Sequence, residues 1–270
     1  MTQDIEQLAQ QLEQHPDYRV LRRLVPGRVF NTPAPGQKLS KGIVLDTETT
    51  GFDVATDRVI ELGMLAFEFD AITGMVYRVS DVFDELEDPG FAIPPASIAI
   101  HHITDDMVYT APTLSEFMDL ASHPFDREDL LLIGHNVQFD VRMVSEHLPE
   151  TFRQLCTLKL SRNLWPELEN HKLQTLRYTF KLDAGDAHRA AGDVATTVSL
   201  LRMVAHERGC GLDQIIEMAR KPLSLDTKMP FGKHKDTKLR ALPLSYVRWL
   251  TENTDNLDAD LREALESRLT

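Results

Sequence analysis

An apolar strand that ends in two carboxylates is the feature that most constrains this fold. Residues 42–45 (GIVL) form a short apolar run typical of a core strand, and Asp46 and Glu48 follow it directly. Residues two positions apart in a strand point to the same side of the sheet. Like charges held so close repel unless a cation lies between them, and no Lys or Arg separates these two. The pattern therefore predicts a divalent metal site at the end of a core strand.

The length and composition predict a folded protein with a sizeable core. The 270 residues are 42% hydrophobic, which suits one large domain or one domain with appendages. No apolar run approaches the roughly 20 residues of a membrane helix, and the polar N-terminus lacks the pattern of a signal peptide. We therefore expect a cytoplasmic protein with no membrane partner. Cys156 and Cys210 lie far apart and outside any CxxC spacing, which predicts buried free thiols.

The chain divides into three predicted parts. Residues 1–39 combine a polar helix with a linker rich in Pro and Gly, residues 40–210 form the main domain, and residues 211–270 form a small C-terminal module. In the first part, the apolar positions fit one narrow helix face, namely Ile5, Leu8 and Leu12.

Periodicity predicts that strands come first and helices later. The predicted strands are residues 42–46, 58–69, 75–83 and 130–133, with a turn at Thr73 and Gly74. A short helix follows Pro94 and Pro95, and a capping box at Thr113 and Glu116 opens a helix to about residue 121. Further helices are predicted at residues 137–147, 157–164, 172–180, 187–208 and 212–220, with two more in 245–269. This order predicts an antiparallel start within a mixed sheet flanked by helices.

Two later segments could complete the metal site, since a divalent ion that acts on phosphodiesters usually needs three or more oxygen ligands. Asp140 falls one turn into the helix that follows the strand at 130–133, and Asp193 follows His188 by five positions. Five residues on an ideal helix lie about 140° apart, so both reach one site only if His188 precedes the helix. Gly185 is consistent with such a loop.

Together these segments resemble a known family. The patterns Asp46-x-Glu48, Asn136-x-x-x-Asp140 and His188-x-x-x-x-Asp193 match the three motifs of the DEDDh group of DnaQ-like 3'-5' exonucleases. The resemblance spans about residues 41 to 203. It implies a ribonuclease H-like α/β fold with a five-stranded mixed sheet flanked by helices, plus a small C-terminal appendage.

Other segments are similar to particular branches of that superfamily. Residues 59–63 and 100–105 resemble DNA polymerase III epsilon subunits. A stronger similarity, to the exodeoxyribonuclease X family, lies in residues 156–166 and in the tail segments 230–235 and 246–250. The segment before residue 38 has no counterpart there.

The resemblance implies an enzyme that releases nucleoside 5'-monophosphates from the 3' ends of DNA, in repair or replication. Asp46, Glu48, Asp140 and Asp193 would hold two Mg2+ or Mn2+ ions. His188 would be the general base, because an imidazole titrating near neutral pH can take a proton from the attacking water. The absence of a Tyr at Arg189, where the sister group carries one, favours that role.

The resemblance also implies a set of substrate contacts. The backbone of Thr49 and Thr50 would hold the terminal nucleotide, with Gly51 permitting close approach. Other residues would line the pocket or orient ligands, namely His101, His135, Asn136 and Phe139. A core position suits Phe139 equally well, and Glu61 is interpreted as structural. Asp186 could act on His188 or simply form a turn.

The charge distribution leaves the role of the C-terminal module open. A net charge of -13 argues against a nucleic-acid partner, but metals would neutralise several acids. Residues 220–240 carry seven Lys and Arg against two Asp, which suits either a phosphate-contacting patch or a solvated face. Phe231 with the cations at 233–235 is the contact candidate. Tyr246, Trp249 and Leu250 have the spacing of a helix core, as do Leu257, Leu261 and Leu265 in the last helix.

Four functions therefore stay open. The first is a stand-alone 3'-5' exodeoxyribonuclease, and the second is a proofreading subunit that works in a polymerase or repair complex. The third is a 3'-5' exoribonuclease, and the fourth is a non-catalytic nucleic-acid-binding protein. The expected partner in each is a nucleic acid, with a free 3' end for the three nucleases. The presence of all four carboxylates and His188 counts against the fourth.

Overall fold

A computed structural model describes residue 29, residues 31–116, residue 125 and residues 130–182, 188–254 and 257–269. Three predictions lie outside these residues: the N-terminal helix, the later part of the helix expected to reach residue 121, and the roles of Gly185 and Asp186. The capping box before residue 121 is confirmed, because the Glu116 carboxylate accepts hydrogen bonds from the Thr113 amide at 2.8 Å and the Thr113 hydroxyl at 2.9 Å.

The sheet has five strands in a mixed arrangement, which confirms the predicted α/β fold. Its strands are β1 (Ser40–Thr49), β2 (Val59–Phe69), β3 (Val76–Leu86), β4 (Leu131–Gly134) and β5 (Arg153–Cys156). Their order is β3-β2-β1-β4-β5, with β1, β2 and β3 antiparallel in succession and β4 and β5 parallel to β1. The carboxyl ends of β1, β4 and β5 therefore share one edge of the sheet.

β5 is the strand that periodicity did not predict. Its four residues begin with the polar Arg153 and Gln154 and show no alternation. The strand forms because it pairs in parallel with β4 over its whole length, from Leu131 opposite Arg153 to Gly134 opposite Cys156. Pairing with a distant strand determines this element, and local propensity contributes little.

The helices follow the predicted positions closely. They are α1 (Pro95–His101), α2 (Asp105–Val108), α3 (Val137–Met143), α4 (Thr157–Leu164), α5 (Leu173–Phe180), α6 (Ala190–Arg208), α7 (Leu212–Arg220), α8 (Leu244–Asn253) and α9 (Ala259–Glu266). Two 3-10 turns span Ser145–His147 and Leu239–Ala241. The short α2 was not predicted, and the helix expected over 137–147 ends at Met143. Among the described residues, no helix combines the length and apolar character needed to cross a membrane.

Each face of the sheet has its own hydrophobic core, and β1 contributes to both. Val44 packs on the face covered by α4, α6 and α7. Ile43 and Leu45 pack on the other face, where α3 lies. This alternation determines the face to which the next side chains point. Asp46 and Glu48 share the face of Val44, whereas Thr47 shares the face of α3. Cys156 is a buried free thiol and Cys210 a half-buried one.

The C-terminal residues form a separate hydrophobic cluster. It extends from Leu223 to Leu265, whereas the residues of α7 pack into the core of the main domain. We therefore propose that the C-terminal module starts after Arg220, later than the expected residue 211. Within it, Leu250, Leu257, Leu261 and Leu265 are buried as predicted. Trp249 is 54% exposed, so its predicted position in a helix core is wrong.

Gly63 lets the first turn of α6 lie directly on β2. A Cβ atom at Gly63 would lie 2.4 Å from the backbone carbonyl carbon of Ala190 and 2.6 Å from the amide nitrogen of Ala191. Backbone atoms cannot rotate away from such a contact. The close approach therefore determines how near the start of α6 comes to the sheet.

We expect Gly63→Ala to lower the free energy of unfolding by about 1–3 kcal/mol, because overpacking against backbone displaces α6. Urea denaturation would measure this. Gly42→Ala is the comparison variant, since the atoms nearest its Cβ belong to the ring of Phe67, a side chain, whereas those nearest a Cβ at Gly63 belong to the backbone. A Gly63→Ala protein as stable as the wild type would contradict the described packing.

Candidate active site

The two carboxylates of β1 point to the face that α6 covers. Asp46 and Glu48 are half-buried there, and Glu61 of β2 lies directly opposite Glu48 in the strand register. Three acids are thus close together on one face of two neighbouring strands. Such an arrangement is costly without compensating positive charge or hydrogen bonds.

Glu61 is compensated by the start of α6. Its fully buried carboxylate accepts a hydrogen bond from Arg189 Nε at 2.8 Å and one from the Ala190 amide at 2.7 Å, and it forms a salt bridge with the same guanidinium. These contacts attach the N-terminus of α6 to β2. Glu61 therefore has the structural role that the sequence predicted.

The attachment brings Asp193 to the strand carboxylates. Asp193 lies in the first turn of α6, and its Oδ1 accepts a hydrogen bond from Gln174 Nε2 of α5 at 2.7 Å. The backbone amide of His188 donates a second hydrogen bond to the same carboxylate. Gln174 is a positioning residue that the sequence analysis missed, because its role depends on how α5 packs against α6.

Three carboxylates form a group that could hold a metal ion. Oxygen atoms of Asp46, Glu48 and Asp193 all lie within 4.8 Å of one another. Within the described part of the chain, none of the three forms a salt bridge with Lys or Arg. Carboxylate oxygens are the donors that hard divalent cations prefer, so the residues present fit such a cation.

The electrostatics agree with this fit. Burial, followed by the charge of Asp193, raises the pKa of Glu48 to about 8. Burial also raises the pKa of Asp46 well above its usual range, with the charges of Asp140 and Asp193 adding to the effect. The pKa of Asp193 is raised mainly by burial. Each carboxylate would be easier to ionise with a cation beside it.

Asp140 approaches the group from the opposite face of the sheet. It is buried in the first turn of α3, and its Oδ1 accepts hydrogen bonds from the Thr47 amide at 3.0 Å and the Thr47 hydroxyl at 2.8 Å. Burial raises its pKa to about 7. Asp140 lies outside the three-carboxylate group, although its charge acts on Asp46. Its predicted role as a fourth ligand stays a prediction.

His188 and Asn136 lie at the entrances to the helices that carry the acids. His188 is exposed and immediately precedes Arg189 and α6, so the prediction that it lies in the entering loop is confirmed. Its φ of 57° is left-handed. Asn136 is likewise exposed, with a φ of 75°, just before α3. Asn tolerates this conformation better than most residues.

Thr49, Thr50 and Gly51 organise the loop that leaves β1. The Thr49 hydroxyl donates to the Gly51 carbonyl at 2.6 Å. Thr50 is buried, with its amide bonded to the Arg58 carbonyl at 2.9 Å and its own carbonyl to the Ser97 hydroxyl at 2.6 Å. A Cβ at Gly51 would meet the Asp57 carboxylate at 2.5 Å. These contacts give all three residues structural roles, and their contact with a nucleotide stays a prediction.

The two predicted pocket histidines differ in their surroundings. His135 is bonded on both ring nitrogens, to the Thr157 hydroxyl at 3.0 Å and the His171 carbonyl at 2.8 Å, and burial lowers its pKa to about 4. These two bonds connect the residue that follows β4 to the start of α4 and to the segment before α5. His101 is also buried. Its Nδ1 accepts from the Ile103 amide at 3.0 Å, while its Nε2 has no hydrogen-bond partner among the described residues.

An aromatic pair lies beside the acidic strand end. Phe139 of α3 is half-buried, and its ring centroid is 6.0 Å from that of Phe52, which is 83% exposed. Phe139 is thus neither fully buried nor fully exposed, and its role in lining the pocket stays a prediction. The sequence analysis missed Phe52, whose only local signal is its position directly after Gly51.

Comparisons with known proteins agree with this geometry. Residues 43–201 match the model of a family described as "Exonuclease". Residues 222–261 match a second family, described as "Putative quorum-sensing-regulated virulence factor". The first match covers most of the predicted resemblance and contains every residue of the acidic group.

Three curated relatives extend the comparison. The chain is 30% identical to Exodeoxyribonuclease 10 of Escherichia coli K12 over 234 residues, which are 84% of this chain and 97% of that protein. It is 34% identical to DNA polymerase III subunit epsilon of Treponema pallidum, over 60% of this chain and 75% of that protein. It is 35% identical to DNA polymerase III PolC-type of Lacticaseibacillus paracasei, but spans only 11% of that protein.

A solved structure supports the same family. It is described as "Exonuclease X in complex with 5' overhanging duplex DNA", and it matches with a TM-score of 0.51 and 27% identity over 66% of this chain and 99% of that chain. Both the sequence relationship and the fold therefore support the family that the sequence resembles. The chain belongs to the DnaQ-like family of 3'-5' exonucleases.

Proposed function

We propose that this chain is a metal-dependent 3'-5' exonuclease that hydrolyses DNA from its 3' end and releases nucleoside 5'-monophosphates. The observation that carries the proposal is the group formed by Asp46, Glu48 and Asp193, whose oxygens lie within 4.8 Å of one another at the family's motif positions. DNA is the favoured substrate because Exodeoxyribonuclease 10 is named for it and the Exonuclease X structure contains it.

The metal ions that we propose are two Mg2+ or Mn2+. Asp46, Glu48 and Asp193 would hold one ion, and Asp140 would join Asp46 at the second, since its charge acts on Asp46 from the other side. When bound, the ions would stabilise the attacking and leaving oxygens of an in-line displacement. Thr47 keeps Asp140 in place and Gln174 keeps Asp193 in place, so the protein positions its carboxylates before substrate binds.

His188 is the residue that we propose as general base. It is exposed at the start of α6, and its charge acts on the Asp193 carboxylate and lowers the pKa there, so its ring lies at the margin of the acidic group. A neutral imidazole can take the proton of the attacking water as the phosphodiester bond breaks. The salt bridge between Arg189 and Glu61 fixes the backbone next to it.

The proposed binding position of the terminal nucleotide lies beside the acids. We propose that its base packs against the exposed ring of Phe52 and the half-buried ring of Phe139, which together offer an apolar surface. His101 Nδ1 accepts a hydrogen bond, which leaves the ring proton on Nε2 when His101 is neutral. Burial lowers the pKa of His101 and so favours that neutral form. Because this nitrogen is buried, His101 would donate to the substrate only after the residues that cover it move.

A proofreading subunit of a DNA polymerase is the second candidate. The identity to a polymerase III epsilon subunit and to PolC-type polymerase favours it. In that case the chain would act on the primer end within a polymerase or repair complex. Addition of the cognate polymerase should then stimulate the nuclease, whereas a stand-alone enzyme would be unaffected.

With Mg2+, we expect the purified protein to shorten a 5'-labelled DNA oligomer from its 3' end into a ladder. EDTA or Asp46→Ala should abolish the ladder, because both remove the metal ions. Gel electrophoresis of matched DNA and RNA oligomers measures the products. Internal cuts, or activity that survives both treatments, would contradict the mechanism, and faster loss of RNA would favour the exoribonuclease.

The base role of His188 predicts a loss in the chemical step. We expect His188→Gln to lower kcat by about 10²–10⁴-fold while DNA affinity changes little, because general base catalysis contributes that much. Steady-state kinetics measures both quantities. His206→Gln, a change at an exposed position in the last turn of α6, is the matched control and should retain full activity. An equal loss in both variants would exclude His188 as the base.

The raised carboxylate pKa values predict a metal effect on stability that grows with pH. Without metal, the folded state holds protons that the unfolded state releases, because the pKa of Glu48 is about 8 and that of Asp140 about 7. Its stability should therefore fall as pH rises from about 5 to 8. Because Mg2+ takes the place of these protons, it should raise Tm more at about pH 8 than at about pH 5.

Thermal unfolding in EDTA and in Mg2+, measured across this pH range, checks the prediction. The variant Asp46→Asn/Glu48→Gln has lost two of the ionisable ligands and should show little response to Mg2+. A wild-type response to Mg2+ that is the same at every pH would be inconsistent with carboxylates that exchange protons for metal.

A further inference from the structure

The C-terminal module contacts the nuclease domain through α4. Lys159 forms an ion pair with Asp260 at 2.5 Å, and Arg162 forms one with Asp258 at 3.4 Å. Asn163 adds a hydrogen bond to the Lys221 carbonyl at 3.1 Å. α4 starts directly after β5, at the edge of the sheet where the acidic group lies. The module therefore has a defined position relative to the active site.

A compact loop, residues 229–237, forms one side of the module. Its first residue, Met229, is fully buried, and its amide bonds to the Thr237 carbonyl at 2.8 Å. Gly232 has a φ of 73°, and a Cβ there would lie 2.9 Å from the hydroxyl of Tyr246. Only Gly fits well at this position, because the backbone is both left-handed and close to a side chain. The loop thus has a fixed shape against α8.

Three aromatic side chains pack against one another where this loop meets α8. The ring of His234 lies 4.4 Å from that of Tyr246 at a tilt of 59°, and Tyr246 lies 6.0 Å from Trp249 with 27° between the ring planes. Trp249 is 54% exposed and Phe231 is 41% exposed. Val247 and Leu250 occupy the buried face of α8, so the exposed rings are not required to fill the core.

Positive charge lies next to these rings. Lys233 and Lys235 flank His234 in the loop, are exposed, and make no ion pair with any described residue. By contrast, Lys238 and Arg240 both form salt bridges with Asp226. The basic segment therefore divides into two cations that share one carboxylate and two that form no ion pair within the described residues and can contact an anion.

We propose that this surface, formed by Phe231, Lys233, Lys235, Tyr246 and Trp249, binds single-stranded DNA upstream of the terminal nucleotide. Exposed rings that stack on bases, interleaved with cations that contact phosphates, are the chemistry by which proteins hold single strands without reading sequence. The inference rests on the proposed nuclease function. It adds a second binding site that retains the strand while the active site removes its 3' end.

A protein partner fits these observations less well. An apolar docking surface has no requirement for unpaired cations beside exposed rings, whereas a polyanion with flat bases uses both features.

Fluorescence anisotropy of labelled oligomers tests the proposal on the full chain. An Asp46→Asn background keeps the DNA intact during the measurement. Trp249→Ala should weaken binding of a DNA strand of about 20 nucleotides by about tenfold, the effect of losing one stacked base. Phe231→Ala provides a second, independent variant. A trinucleotide, too short to reach the module, should bind all proteins equally.

The contribution of Lys233 and Lys235 is measured separately, through the salt dependence of DNA affinity. Lys233→Gln/Lys235→Gln should reduce the slope of log affinity against log salt by about 0.7 for each lost phosphate contact. Arg202→Gln/Arg208→Gln changes the net charge equally at exposed positions of α6 and should leave the slope unchanged. A slope reduced equally by both double variants would overturn the assignment to this surface.

Other outcomes separate this inference from the function on which it rests. Unchanged affinity for the long strand in every module variant would overturn it, as would equal weakening for the trinucleotide or an effect confined to RNA. A wild-type protein that binds DNA but does not cleave it would overturn the proposed nuclease alone. With catalytic proteins, the module variants should raise KM and leave kcat unchanged.

Discussion

The contact between Glu61 and the start of α6 is the interaction on which the site depends. A fully buried carboxylate is tolerated because Arg189 and the Ala190 amide satisfy it. Removal of Arg189 would leave the buried Glu61 charge without its cation, which is unfavourable even though the Arg189 side chain is itself 37% exposed. The same contact places Asp193 above Asp46 and Glu48. Stability of the fold and geometry of the acidic group therefore rely on one carboxylate that does not belong to that group.

The two faces of β1 explain why the site needs elements from both sides of the sheet. Alternation sends Asp46 and Glu48 toward α6, and it sends Thr47 toward α3, where it binds Asp140. Burial raises the pKa of all four acids, and repulsion from neighbouring carboxylates adds to the effect at Asp46 and Glu48. A site of this kind stores unfavourable electrostatic energy that a cation can remove, so selection for metal binding conflicts with stability of the metal-free fold.

The sequence predicted most of the fold and the acids of the site, because both depend on local patterns. Apolar periodicity located the long strands and helices, and the spacing from His188 to Asp193 correctly required a loop before α6. The sequence did not predict the features that depend on contacts between distant residues. β5 exists only through pairing with β4, Gln174 and Phe52 acquire their roles through packing, and Trp249 has a helix-core spacing but lies at the edge of α8.

The charge of the chain shows why a global property misleads here. A net charge of -13 would repel DNA if it were spread evenly over the surface. Four of the acids are gathered at the active site and a fifth, Glu61, is paired with Arg189, whereas Lys233 and Lys235 stay exposed in the module. Attraction between exposed charges acts over about 10 Å at moderate salt, so a DNA strand responds to the charges near it. An acidic protein can therefore bind a polyanion through local cations and bound metal.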